Sequence, residues 1–378
     1  MKVGIGINLV NTRFGPGFVA QAGLRTAQAT GCDSLWVSDH LNSLLPRAIM
    51  TPAHTGVARI APDVDACPEP WTVLGALAAG SRFRRIRLAT GVTDASRRHP
   101  AVTAQAAATL HLMTRGRAIL GIGTGEMEGN APYGVDWSRP VARFIEALAT
   151  IRALWDSGGE LVTRDSEWFP LRDASFTLPP YQGGWPQIWV AAHGPRMLRA
   201  TGRYADAWLP GFLFTPHLYA DGLEQVRAAA DDAGRDPAGI VAANWFFVVT
   251  GRSRGEVDDV LNSTVARAFA LTASAADWAR HGTRHPMGDD FAGANEILPQ
   301  LLDEATVLEY TRVVPESLLR ETILAGTSDE ILDQLAEWRH HGLGYGVFTD
   351  ISMAGPSLRR GLAAGLPFAR ILRGARRL

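Results

Sequence analysis

The chain has almost no lysine. Lys2 is the only one among 37 lysines and arginines in 378 residues. Any mechanism that needs an internal lysine, such as a Schiff base or the phosphate-binding lysine of a P-loop, is thereby excluded. The bias reads as the imprint of a GC-rich coding sequence and not as a thermostabilising charge network. Cysteine is nearly absent too, and Cys32 and Cys67 are too few for a disulfide framework or a structural zinc site. No apolar run approaches the ~20 residues that span a bilayer, and Met1-Lys2-Val3-Gly4 lacks the layout of a signal peptide. A formal charge of -1 gives no net pull toward nucleic acid or an anionic membrane. The expectation is a cytoplasmic globular protein without a nucleic-acid partner.

What is present is a repeat. Short apolar runs at 3–7, 34–37, 86–92, 117–120, 187–191, 205–209, 244–250 and 345–349 predict strands. Helical spacing lies between them at 17–30, 71–79, 101–113, 141–156, 194–202 and 218–233. Strands alternating with helices in this number fit a (β/α)8 TIM barrel of the α/β class better than a doubly wound sheet. Two stretches interrupt the repeat, at about 41–69 and about 262–315, and read as insertions. No composition break marks a second domain, so a single domain over 1–378 is expected.

Right-handed crossovers would put every C-terminal strand end on one rim of such a barrel. That rim collects Asp39 and His40, Gly91-Val92, Thr124 to Glu128, and His193-Gly194. A histidine, carboxylates, backbone amides and a helix N-terminus suit redox or carbonyl chemistry with a phosphate-bearing cofactor. Plainer readings stand beside this one. Ser38-Asp39-His40 also reads as a polar turn, and His193-Gly194-Pro195 as a helix start. Gly121, Gly123 and Gly125 fall as GxGxG and not as the GxGxxG of a dinucleotide fold. His281 and His285 are four apart, but Gly282 and Pro286 exclude a zinc helix, and no metal site is expected. His340 and His341 fall near a helix C-terminus, where solvation is expected. Glu126 with Asp350 leaves a glycosidase open, against the glycine-rich setting. The pattern alone reaches only a barrel enzyme.

Five blocks carry a resemblance: Ser38-Asp39-His40, 88–92, 100–105, 121–126 and 191–195. In order and spacing they resemble the bacterial-luciferase-like flavin and deazaflavin barrels. Within that superfamily they are similar to enzymes that use the deazaflavin coenzyme F420, such as the glucose-6-phosphate dehydrogenases. Residues 103–112, Glu128-Gly129-Asn130, 188–208 and 278–282 most resemble the phthiodiolone and phenolphthiodiolone dimycocerosate ketoreductases of actinobacterial lipid synthesis.

The resemblance implies reduced coenzyme F420 as cofactor, with two alternatives: FMN and a monooxygenase reaction, or an F420-dependent dehydrogenase acting on another alcohol or ketone. A non-catalytic cofactor-binding relative is a further reading. It also implies a lipid ketone as substrate and a homodimer. An apolar substrate raises peripheral membrane contact, although no amphipathic anchor is evident. By the same resemblance, His40 would protonate the carbonyl oxygen, Glu126 would handle a proton at a ring nitrogen, and Asp39 would orient ring and histidine. Gly91 and Val92 would form a cis peptide behind the ring. Gly123, Thr124, Gly125 and Asn130 would bind the cofactor, with the glycines leaving room for its flat ring. His193 and Gly194 would offer amides to its phosphate. Two departures disfavour a phosphorylated sugar. Leu44 stands where the sugar-phosphate enzymes have a tryptophan, and their phosphate-binding lysines have no counterpart, although Arg320 lies near one such place. Val265, Phe269, Leu271, Trp278 and Phe291 read equally as a lipid-facing lid or as ordinary packing.

Overall fold

In a parallel sheet covered on both faces, strands read as continuous apolar runs and not as alternating ones. Ser34–Val37 is such a run, with all four residues buried. The computed structural model, which describes residues 1–80, 85–212 and 215–378, places it as β2 of a closed barrel. The others are β1 Lys2–Ile7, β3 Arg87–Thr90, β4 Ala118–Gly123, β5 Gln187–Val190, β6 Ala207–Trp208, β7 Val241–Thr250 and β8 Tyr345–Asp350. Each pairs in parallel with the next, β6 pairs β7, and β8 returns to β1, so the sheet has no seam. The register runs through Ile5, Leu35, Leu88 and Ala118, which are Cα partners in turn.

Among the described residues, the helices that cover the outside include α1 Phe18–Thr30, α2 Pro70–Gly80, α3 Pro100–Met113, α4 Pro140–Trp155, α5 Pro195–Tyr204, α6 Pro216–Asp232, α7 Ser328–His340 and α8 Gly365–Ala375. Five begin with proline, whose fixed φ and missing N–H suit a first helical turn. Thr327 and Glu330 form a capping box at the start of α7. The main core fills the annulus between strands and helices.

Inside the barrel lies a floor of rings. Trp36 packs against Trp189 at 5.1 Å and Trp245 at 6.0 Å between centroids, and Trp189 against Tyr345 at 4.8 Å. The polar tips are paired: Trp36 Nε1 donates to Ser34 Oγ at 2.6 Å, Ser34 Oγ lies 2.7 Å from the Tyr345 hydroxyl, and Trp245 Nε1 donates to Thr349 Oγ1 at 3.0 Å. Glycines make the room. A Cβ on Gly91 would sit 2.6 Å from the Trp245 ring, and one on Gly121 would sit 2.1 Å from the Thr90 carbonyl oxygen and 2.8 Å from Trp36.

The two insertions differ. The first contains two 3-10 turns, Arg47–Ile49 and Val57–Arg59, in otherwise irregular chain. The second folds into short helices, among them Thr264–Ala268, Ala275–Arg280 and Glu304–Arg312, around an apolar cluster that it shares with Ile49 of the first insertion and with residues on either side, such as Val257 and Leu318. Val265, Phe269, Leu271, Trp278 and Phe291 are all buried in that cluster. Val249 of β7 joins it, which roots the insertion on the barrel. His54 Nε2 and Glu304 Oε1, 2.7 Å apart, tie one insertion to the other. An antiparallel hairpin, Val162–Arg164 with Leu171–Ala174, stands between α4 and β5, where the repeat gave no hint of it.

Candidate active site

The ends of β2, β3 and β4 meet over the ring floor, and the chain there turns from apolar to charged. Asp39, 3% exposed, is surrounded by donors. Thr93 Oγ1 donates to its Oδ2 at 2.5 Å, and Arg97 Nη2 donates to its backbone oxygen at 2.7 Å and to Oδ1 at 3.2 Å. Arg98 reaches both carboxylate oxygens and also Glu69 Oε1, the latter at 2.9 Å. Two guanidinium groups and a hydroxyl satisfy this buried carboxylate. Its carboxylate therefore anchors the Arg97–Arg98 turn, and it holds His40 through the backbone they share.

His40 turns the other way. Its Nδ1 lies 3.2 Å from Oε1 of Glu128, a carboxylate buried to 1% side-chain exposure. Oε2 of Glu128 accepts the Gly129 N–H at 2.5 Å. Asn130 Nδ2 donates to Asp94 Oδ2 at 2.6 Å and to the Glu126 carbonyl at 2.8 Å, which locks the loop after β4 against the chain after β3. Asp94 Oδ1 in turn accepts the Ser96 and Arg97 amides at 2.6 and 3.2 Å, and Arg97 Nε stands 3.3 Å from its Oδ2.

Burial alone would discharge His40, but the Glu128 hydrogen bond and the charges of Glu126 and Glu128 outweigh it and Arg97 together, and raise the imidazole pKa to about 9. Glu126 is pushed up to about 7, first by burial and then by Glu128 and Asp94, against the pull of His40 and Arg97. Burial also raises Asp94. One cationic ring thus sits among carboxylates, one of which titrates near neutrality. The ligand atoms of His40, Glu126 and Glu128 lie within 4.8 Å of one another.

The remaining expected residues fall around this cluster. The Gly91–Val92 peptide is cis. Thr124 Oγ1 donates to the Gly125 carbonyl at 3.1 Å, and Ser96 Oγ to the Thr124 carbonyl at 3.3 Å. The space expected for a flat ring beside the loop glycines is partly taken by protein. Trp36 fills it at Gly121, and at Gly125 the Asp94 carboxylate lies 1.9 Å from where a Cβ would be. Gly125 also has φ +82°, so the turn itself favours glycine. Gly123 faces Val92, 3.1 Å from a Cβ position. Gly194 caps α5 and a Cβ there would meet nothing within 4 Å, while His193 beside it is exposed.

Arg320 does not reach this cluster; it ends in exposed ion pairs with Glu316 and Asp258. His281 is held by Ser317 and Glu321, and His285 lies buried between Trp278 and Phe291, where burial lowers its pKa to about 4. His340 is exposed, and His341, with His217 and Glu337, forms a second group whose ligand atoms lie within 4.8 Å. Asp350 ends β8 on the same rim, raised by burial and capped by the Ser352 amide at 2.9 Å.

Thr93, Asp94, Arg97 and Arg98 belong to the site but were not expected there. One signal was legible: two arginines just before α3 sit at the positive end of a helix dipole, where cations are disfavoured unless paired.

A closed parallel barrel with a charged rim at its C-terminal strand ends defines an enzyme barrel. The chain belongs to the family described as luciferase-like monooxygenase, whose profile matches residues 19–344. It is 58% identical over 368 residues to the phthiodiolone/phenolphthiodiolone dimycocerosates ketoreductase of Mycobacterium kansasii, covering 97% of this chain and 100% of that one. It is 33% identical over 265 residues to an F420-dependent glucose-6-phosphate dehydrogenase of Microbacterium testaceum (strain StLB037), covering 69% and 67% of the two chains. A solved F420-dependent secondary alcohol dehydrogenase in complex with an F420–acetone adduct superposes with a TM-score of 0.71 at 18% identity, covering 98% of each chain.

Proposed function

We propose that the chain is an F420-dependent ketoreductase acting on the keto group of a long-chain lipid of the phthiodiolone or phenolphthiodiolone dimycocerosate type. The observation that carries the chemistry is His40, a histidine kept cationic at the rim beside the buried Glu128 and the half-buried Glu126. Such a group donates a proton at neutral pH. The lipid substrate follows from the near full-length similarity to the mycobacterial ketoreductase.

The rim suits a flat polar heterocycle. Two buried amide atoms, Asn42 Nδ2 and Asn130 Oδ1, have no hydrogen-bond partner among the described residues, one a donor and the other an acceptor. Gly91-Val92, Gly123, Thr124 and Gly125 would hold the ring edge, and His193 and Gly194 the phosphate at the start of α5. When bound, the reduced deazaflavin supplies a hydride from C5 to the carbonyl carbon and is oxidised by two electrons. His40 Nε2 gives its proton to the carbonyl oxygen as the C=O π pair moves onto it, so the ketone leaves as a secondary alcohol. Glu126, titrating near neutrality, would accept the proton that the ring nitrogen gives up on oxidation and pass it to the cleft. Asp39, clamped by Arg97 and Arg98, fixes the backbone that carries His40. A homodimer in the cytoplasm is part of the same proposal.

Separate titrations with F420 and FMN test the reading. Tight F420 binding with weak FMN binding is the expected result; tight binding of FMN alone would overturn it in favour of a monooxygenase.

A further inference from the structure

Glu128-Gly129-Asn130 is the part of the rim to which the reaction assigns no step. The geometry points to Glu128 as a positioning residue: it clamps the His40 ring through Nδ1, pairs its positive charge, and leaves Nε2 alone to face the ketone oxygen. The inference rests on the ketoreductase reading for the identity of the acceptor, but not for the clamp itself.

Glu128 has 0% exposure and, among the described residues, one backbone donor, the Gly129 amide on Oε2. A carboxylate so buried requires a cation or further donors. His40 Nδ1 supplies that partner at Oε1, 3.2 Å away. An Nδ1–H held by a buried carboxylate fixes both the tautomer and the angle of the ring, and stabilises the imidazolium. The other charged groups have different partners. Asp39 is taken by Thr93, Arg97 and Arg98, and Arg97 also spans Asp94. Glu126 acts on His40 by its charge, and Glu128 by charge and hydrogen bond together. Exposure separates the two glutamates as well: Glu128 is sealed, while Glu126 is half-buried and able to trade protons with the cleft. Asn130 makes the arrangement rigid, because its amide ties the Glu126 carbonyl to Asp94 two residues before Glu128. The triplet is thus one device: a clamp, a turn whose amide fixes the clamp, and a brace.

The test uses the free, full-length protein with isotope-labelled histidine rings, so that NMR follows His40 as pH is raised. In the parent protein His40 should titrate near 9. Glu128→Gln keeps the shape and an acceptor for Nδ1–H but removes the charge, and should lower the His40 midpoint by about one unit or more. The alkaline limb of kcat/KM for ketone reduction should move down with it, about tenfold in rate at its alkaline end, with cofactor affinity unchanged. Glu128→Asp keeps the charge on a shorter arm. It should keep the high midpoint while lowering kcat, and it serves if the Gln variant fails to fold. An unmoved His40 midpoint in Glu128→Gln, or a midpoint that falls equally in Glu128→Asp, would overturn the clamp. Absence of ketone turnover by the parent protein would sink the ketoreductase reading instead, and the NMR midpoints would still decide the role of Glu128.

Discussion

The floor of the barrel and the rim above it are made of opposite materials. Below, Trp36, Trp189, Trp245 and Tyr345 fill the lumen, and the indole N–H groups of Trp36 and Trp245 end on hydroxyls. Above, on the loops that follow β2, β3 and β4, stand Asp39, His40, Asp94, Arg97, Glu126 and Glu128; the pKa values of His40, Asp94 and Glu126 are raised, and two buried amide atoms have no partner among the described residues. The floor is satisfied and the rim is not. Natural sequences tolerate such imbalance where it serves a reaction. Substitutions in the floor should therefore alter stability first, and substitutions in the rim should alter proton transfer first.

The largest expected effect is at the rim. His40→Ala should reduce ketone turnover by ~10²–10⁴-fold, the usual worth of a positioned general acid. Its cofactor affinity should stay close to that of the parent, while its melting temperature near neutral pH should fall, because Glu128 loses its cationic partner. Steady-state kinetics beside a cofactor titration would check this, and a variant with full activity would break the contrast from the rim side.

Gly121→Ala is the counterpart in the floor. Its new methyl would sit 2.1 Å from the Thr90 carbonyl oxygen, a backbone atom that cannot swing away. Overpacking of this kind costs about 3 kcal/mol, readable as a lower urea midpoint with unchanged slope. The His40 titration in the surviving folded protein should remain near that of the parent; a shifted midpoint would show that floor and rim are not separable.

The smallest effect concerns pH and stability. His40 has its folded pKa raised from 6.5 to about 9, so the stabilisation it brings is full below about 6.5 and fades as pH rises through 9. Glu126 is raised from 4.5 to about 7, so its contribution fades over that lower window. Urea midpoints of parent and His40→Ala should therefore converge as pH passes 9, and a gap that widened there would contradict a cationic His40.

Much of this contrast was legible in the sequence. Parallel strands buried on both faces leave apolar runs, and all eight barrel strands lie on or within a residue or three of the expected stretches; β6, for example, is Ala207–Trp208 within 205–209. The hairpin at 162–174 escaped notice because its strands are short and half exposed, so they bear no such run. At the site, His40 and Glu126 stood out because each closes an apolar run with a group that titrates. The clamp did not stand out, since His40 and Glu128 are 88 residues apart, and the Asp39–Arg98 pair is separated by 59. Only barrel closure brings such groups together. The loop glycines show the converse limit. A glycine in sequence announces that something lies close by, but not whether that is a ligand, an indole or, as at Gly125, a carboxylate.

The most direct measurement is an anaerobic single turnover: protein loaded with reduced F420 is mixed with a long-chain ketone, while the absorbance of oxidised deazaflavin and the alcohol product are followed together. One alcohol formed per deazaflavin oxidised, at a rate that falls as pH rises through about 9, is the predicted result. Deazaflavin that stays reduced in the presence of the ketone, or alcohol formed at the same rate above and below that pH, would contradict hydride transfer completed by the proton of His40.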